Sequence, residues 1–180
     1  MTKQKHIEVY PILIGLMGSG KSSIGRRLAK RLGCPLIDLD DYIVEKAGKS
    51  IPEIFTEQGE EAFRDMESEV LREVLGQPAV IATGGGAIMR EENRRLLKLH
   101  PPLIWLKASP EFLAKRIDGD TNRPLIAPGE TLKKLQQLAA VRYPIYEQCA
   151  DFTLLRGELK KRKAVESILR FLAKWSANRD

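Results

Sequence analysis

The sequence predicts an α/β fold in which a parallel sheet is covered on both faces by helices. Three observations carry that prediction. Short, nearly all-apolar runs alternate along the chain with longer segments whose apolar residues recur at helical spacing. The runs lack a polar face, as strands do when helices cover both sides of a sheet. The stretch GLMGSGKS, Gly15 to Ser22, falls between one such run and one such segment, the setting of a phosphate-binding loop.

Strands are expected at Val9 to Ile14, Pro35 to Leu39, Ala79 to Thr83, Leu103 to Leu106 and Phe152 to Leu155. The first two helices are expected at Lys21 to Leu32 and Asp41 to Ala47. Ser50 followed by Glu53 has the form of a capping box and opens a third, Ile51 to Glu57. The segment Gly59 to Leu75 buries Ala62, Phe63, Met66, Val70, Leu71 and Val74 on one side. Helices follow at Glu91 to Leu99 and at Pro110 to Ile117, where Ser109 precedes a proline at the first helical position. Thr131 to Val141 is helical by spacing, and Tyr143-Pro144 is expected to end or kink it. Leu159 to Trp175 forms the last helix, anchored by Trp175, while Trp105 belongs to a core strand.

Size and composition narrow the function classes. At 180 residues the chain is read as one domain, 1–180, with a core of its own. The residues are 43% hydrophobic and 30% charged, and no apolar run reaches the length needed to span a bilayer, so a membrane role is not expected. MTKQKHIEVY lacks the apolar core of a signal peptide, and Cys34 and Cys149 are too few for a disulfide framework. Both features point to the cytoplasm, with the cysteines acting as small hydrophobes. His6 and His100 have no acidic or cysteine companions at ligand spacing. The net charge of +6 suits either nucleic acid or an enzyme of polyanionic substrates. The only dense basic cluster, Lys160 to Lys163, reads as a solvated helix face, so nucleic acid is not the expected partner.

The chemistry starts from the loop. Its glycines let backbone N–H groups turn onto an anion, and the following helix adds its N-terminal dipole. Lys21 is placed to reach the β- and γ-phosphates of a nucleotide, and the Ser22 hydroxyl to ligate Mg²⁺; Gly18, Ser19, Gly20 and Ser23 complete the cradle. The second strand ends in Asp38-Leu39-Asp40-Asp41. Strand alternation would point Asp38 and Asp40 the same way and Leu39 into the core. One carboxylate can hold the magnesium water shell and the other can accept a proton from an attacking hydroxyl, although both could also cap the next helix. Arg64 and Glu67, three apart on a helix, are either a modest surface pair or a carboxylate orienting a guanidinium that grips a substrate carboxylate. Gly84-Gly85-Gly86 at the end of the third strand implies close backbone approach. The segment RIDGDTNRPLIAPGE, Arg116 to Glu130, reads as a lid bringing Arg123 onto the nucleotide phosphates. Arg142 is expected to point into the cleft and share the substrate carboxylate with Arg64.

These motifs, in this order and spacing, resemble those of the shikimate kinases. The resemblance runs from Gly15 to about Arg156 and rests on GLMGSGKS, the D-x-D and F-R-x-x-E elements of residues 38–67, IATGGGAI, the RPL of the lid and RYPIY. It implies a three-layer P-loop kinase fold, a five-stranded parallel sheet flanked by helices, with a substrate-binding region at 41–75 and a lid at 116–130. It also implies ATP-dependent phosphorylation of the 3-hydroxyl of shikimate, with Mg²⁺ as cofactor, by a monomer. Lys21, Asp40 and Arg123 would be catalytic, and Ser22 and Asp38 would serve the metal. Asp40, Arg64, Gly85, Gly86 and Arg142 would bind the acceptor, while Arg116, Arg123 and Arg156 would join the loop on the nucleotide. Leu39 and Asp41 are departures from the pattern that remove no required group. Two rival readings are a kinase of the same fold with another small acceptor, such as a nucleoside monophosphate or sugar acid, and a nucleotide-switched nucleic-acid-binding protein.

Overall fold

The computed structural model describes residues 9–118 and 130–179. The elements run β1 (Ile12–Ile14), α1 (Lys21–Leu32), β2 (Leu36–Asp38), α2 (Leu39–Ala47), α3 (Ile51–Gln58), α4 (Glu60–Val74), β3 (Val80–Ala82) and a 3-10 turn (Ala87–Met89). They continue with α5 (Glu91–Lys98), β4 (Leu103–Lys107), α6 (Pro110–Asp118), α7 (Glu130–Cys149), β5 (Phe152–Leu155) and α8 (Lys161–Ala177). The five strands form one sheet in the order β2-β3-β1-β4-β5, and every pairing is parallel.

The two-residue period of the strands sorts their apolar side chains into two layers. Ile12, Ile14, Ile81, Leu103 and Trp105 face the layer that also holds Leu39, Ile54, Phe63, Leu71 and Leu97. Leu13, Val80, Ile104, Leu106 and Leu154 face the other, where Ile24 and Leu28 of α1 meet Ile168 and Leu172 of α8. β1 pairs with β3 on one side and β4 on the other, so the loop that leaves it opens at the middle of the sheet. Open α/β sheets gather ligands at that place, where the strand order reverses. α1 closes at Gly33, whose φ of 69° is left-handed and whose N–H caps Lys30 O and Ala29 O.

Two of the departures from the expected bounds have causes visible in the structure. α2 begins at Leu39, two residues early, because Asp38 is its N-cap and accepts from the N–H groups of Asp40 and Asp41 at 3.0 and 3.2 Å. α7 neither ends at Val141 nor breaks at Pro144 but runs on to Cys149 with Pro144 inside it. An interior proline costs a helix about 3 kcal/mol. The packing around it outweighs that: Tyr143 and Tyr146 sit 5.1 and 5.5 Å from the Trp105 ring, and the Tyr143 hydroxyl donates to Ala108 O. No helix among the described residues is long and apolar enough to cross a membrane.

Candidate active site

The carboxyl ends of β1, β2 and β3 open into one cavity of roughly 460 Å³. Its floor at one end is the loop after β1. Gly20, with φ at 94°, is the N-cap of α1; no side chain caps the helix and no acidic residue stands in its first turn. The first-turn N–H groups therefore leave their positive end of the helix dipole available to an anion. Lys21 lies across the loop, donating to Gly15 O at 2.5 Å and Leu16 O at 2.9 Å. Gly18, Gly20, Lys21, Ser22 and Ser23 all line the cavity. Ser19 does not: it is buried, and its Oγ has no hydrogen-bond partner among the described residues.

Asp38 and Asp40 line the same cavity, by a different route from the one the sequence suggested. Strand alternation does not align them, because β2 stops at Asp38 and Asp40 already belongs to the first turn of α2. Leu39 does enter the core, fully buried. Asp38 divides its carboxylate, Oδ1 capping α2 while Oδ2 accepts from the Ser22 hydroxyl. Of the roles weighed for it, the helix cap is filled, and the same side chain also meets the Ser22 hydroxyl of the loop. Burial pushes the Asp40 carboxyl up to about 6, helped by the negative charges of Asp38 and Glu67 and opposed by Lys21. An Asp there is still ionised at neutral pH but is a stronger base than an exposed one.

The opposite end of the cavity carries arginines. Arg64 of α4 donates to Glu67 Oε1 at 2.8 Å, and Glu67 is only 1% exposed. The pair is no surface contact. Burial raises the Glu67 carboxyl and Arg64 lowers it. Arg142 reaches the cavity from the middle of the unbroken α7.

Between the arginines and the loop lies the turn Gly84-Gly85-Gly86, and each glycine is packed against a different charged group. A Cβ on Gly84 would lie 2.8 Å from Glu67 Oε2 and 2.9 Å from Asp40 Oδ1. One on Gly85 would lie 3.2 Å from Arg142 Nη1, and one on Gly86 would fall on the Arg64 guanidinium, 2.6 Å from Cζ. None of the three needs a positive φ, so space is what requires glycine.

Arg116 lines the cavity too and joins it to a second one, roughly 490 Å³, beside the loop. Arg116 and Arg156 both place a guanidinium on the Phe112 ring, 5.8 and 5.9 Å from its centroid. Arg156 is buried behind the loop and points Nε at Ser19 O, 3.4 Å away, so it borders this second cavity and not the first. Lys160, Lys161 and Arg162 also line it. The basic cluster read as a solvated face thus forms part of a wall, and burial lowers the Lys161 ammonium with the surrounding arginines adding to the effect. Arg123 lies outside the described residues.

Sequence reasoning missed the apolar side of the main cavity, built by Ile51, Phe55 and Phe63. Helical spacing marked Phe63 as core without showing that its edge lines a site. It also missed Tyr146, which donates to Gly85 O at 2.6 Å and reads in sequence as one more buried aromatic.

The arrangement can hold a phosphate chain at one end, a small acid at the other, and a carboxylate base between them. The chain as a whole is similar to known proteins. A family model described as shikimate kinase matches residues 17–173. A shikimate kinase of Caulobacter vibrioides is 46% identical over 159 residues, covering 88% of this chain and 79% of that protein. One of Neisseria gonorrhoeae is 42% identical over 164 residues, covering 91% and 95%. Among solved structures, the shikimate kinase of Acinetobacter baumannii in complex with shikimate superposes with a TM-score of 0.87 at 37% identity, covering 94% of this chain and 97% of that one. With a family model matched over most of the chain and relatives of 42% and 46% identity, the protein belongs to the shikimate kinase family.

Proposed function

We propose that the protein transfers the γ-phosphoryl group of ATP to the 3-hydroxyl of shikimate, using the two ends of the one cavity as donor and acceptor halves. The observation that carries this reading is the position of Asp40, a raised carboxylate between the phosphate-binding loop and two arginines. Shikimate is a cyclic hydroxy acid, so it offers a carboxylate for Arg64 and Arg142 and a ring for the apolar wall of Ile51, Phe55 and Phe63. The shikimate held by the A. baumannii relative supports the same acceptor.

In this mechanism the glycine turn and the arginines fix the acceptor so that its hydroxyl faces the terminal phosphate in line with the bond to be broken. Asp40 takes the hydroxyl proton as the new O–P bond forms and the γ-phosphoryl leaves the β-phosphate oxygen. The loop N–H groups and Lys21 balance the charge on the equatorial oxygens, and Arg123 joins them from the lid segment. Arg116, Arg156 and the lysines of the second cavity receive the rest of the nucleotide. Ser22 and Asp38 are the residues that would hold Mg²⁺. The ion keeps several waters and takes few protein ligands beside substrate phosphates, and a hydroxyl next to one carboxylate fits that habit. When bound it would screen the β- and γ-phosphate charge. The described residues of one chain supply both halves of the site, which suits a monomer.

A coupled assay of ADP release with and without shikimate tests the reading. Release that depends on shikimate is expected. Equal release without it, or preference for a nucleoside monophosphate or sugar acid in an acceptor panel, would overturn the assignment.

A further inference from the structure

Tyr146 is 1% exposed, yet it is not simply part of the aromatic cluster around Trp105. Its hydroxyl donates to Gly85 O at 2.6 Å, and the Arg142 guanidinium packs on the same glycine, with Nη1 3.2 Å from the Cβ position of Gly85. Gly85 in turn sits against the phosphate-binding loop, where its Cβ position lies 3.6 Å from Gly15 O and 3.7 Å from Met17 N. One buried phenol therefore bridges the glycine turn and the helix whose Arg142, four residues earlier, packs its guanidinium on that turn. Burial holds the phenol well above its usual range, so it stays protonated and keeps donating to Gly85 O at any working pH.

We infer that Tyr146 is a positioning residue for the acceptor half, fixing the Arg142 guanidinium relative to the glycine turn so that both meet shikimate in register. This rests on the proposal that Arg142 grips the acceptor carboxylate. A guanidinium on a long side chain has several rotamers, and a turn held in place beside it selects among them. Loss of the hydroxyl would free Arg142 and leave Gly85 O without that donor, while the loop and the nucleotide wall keep their own contacts.

Tyr146→Phe keeps the ring against Trp105 and removes only the bridge. Expected is a roughly fivefold rise in KM for shikimate, the effect of one neutral hydrogen bond, with KM for ATP unchanged. In an Arg142→Ala background the same substitution should add nothing, since the side chain it positions is gone. Tyr143→Phe is the structural control: its hydroxyl, also in the aromatic cluster, donates to Ala108 O, so it should lower the melting temperature without moving KM for shikimate. Tyr146→4-aminophenylalanine retains a weaker donor at the same place. It should raise KM for shikimate less than loss of the group, and it carries the test if Tyr146→Phe yields no folded protein.

Several outcomes would defeat the inference: an unchanged shikimate KM in folded Tyr146→Phe, a parallel change in both KM values, or full additivity with Arg142→Ala. Arg142→Ala that leaves shikimate KM unchanged would instead sink the carboxylate grip on which the inference rests. If Arg142→Ala raises it and Tyr146→Phe does not, the grip stands and only the positioning role falls.

Discussion

Asp40 lies in the buried part of the cavity among Asp38, Glu67 and Lys21, and its ionisation acts in opposite directions on folding and on catalysis. Its carboxyl titrates near 6 in the fold against an ordinary value of 3.8, so the native state binds the proton more tightly than the unfolded chain does. Stability therefore falls as pH rises from about 4 to about 6, and the penalty, ~3 kcal/mol, is fully present above that window. Asp40→Asn should make the unliganded protein more stable than the native one at pH 8, with the difference gone below about pH 4. Thermal melts across that range check it, and a destabilised variant at pH 8 would contradict the assigned burial. The same substitution should reduce turnover far more than ATP affinity, and in the native enzyme kcat/KM should decline as pH falls below about 6. Gly86→Ala makes a separate point. The atoms nearest the added methyl would all belong to the movable end of Arg64, so the fold should survive with little change in melting temperature. A shift of that guanidinium should raise KM for shikimate roughly tenfold, the worth of one hydrogen bond to a charged group. Unchanged steady-state kinetics for a folded Gly86→Ala would remove Arg64 from the acceptor site.

Among the elements, α1 links the core most directly to the site, since its N-terminus is the phosphate-binding end and its buried face sets its angle on the sheet. Leu28 is fully buried there, and Leu28→Ala should lower stability by about 2–5 kcal/mol in urea unfolding. All five strands were legible in the sequence because buried parallel strands are continuous apolar runs, and α1 was legible to the residue because a glycine bounds it at each end. Asp38 and Asp40 were found for a partly wrong reason. The alternation argument needs a strand that continues, whereas a cap at Asp38 turns the chain into helix one residue later. α7 was cut short because the rule for proline is local, and what carries the helix through Pro144 is aromatic packing onto a strand about forty residues earlier. Arg64, Glu67 and Arg142 were readable as charged residues at suggestive spacings. The hydroxyl of Tyr146 and the cavity edge of Phe63 were not, since an aromatic residue at a helical core position gives no sign of what its rim touches.

For the whole molecule, the sheet order brings the loop after β1 between the ends of β3 and β4, so residues from widely separated stretches of the chain converge there. The charge is distributed to match: the excess of +6 includes the arginines and lysines around the second cavity, beside the phosphate-binding loop. Raising ionic strength from roughly 0.05 to 0.5 M should weaken ATP binding several-fold, and shikimate, a monoanion that the proposal sets against two half-buried arginines, much less. Equal salt sensitivity for the two substrates, measured by calorimetry, would argue against that division of the site. Asp38 links these parts. Because one oxygen caps α2 and the other faces Ser22, whatever arrives at the nucleotide end pulls on the first turn of the helix that carries Asp40. On the proposed assignment, donor occupancy would reach Asp40 through a single carboxylate, so each substrate should change the other's affinity by the same factor.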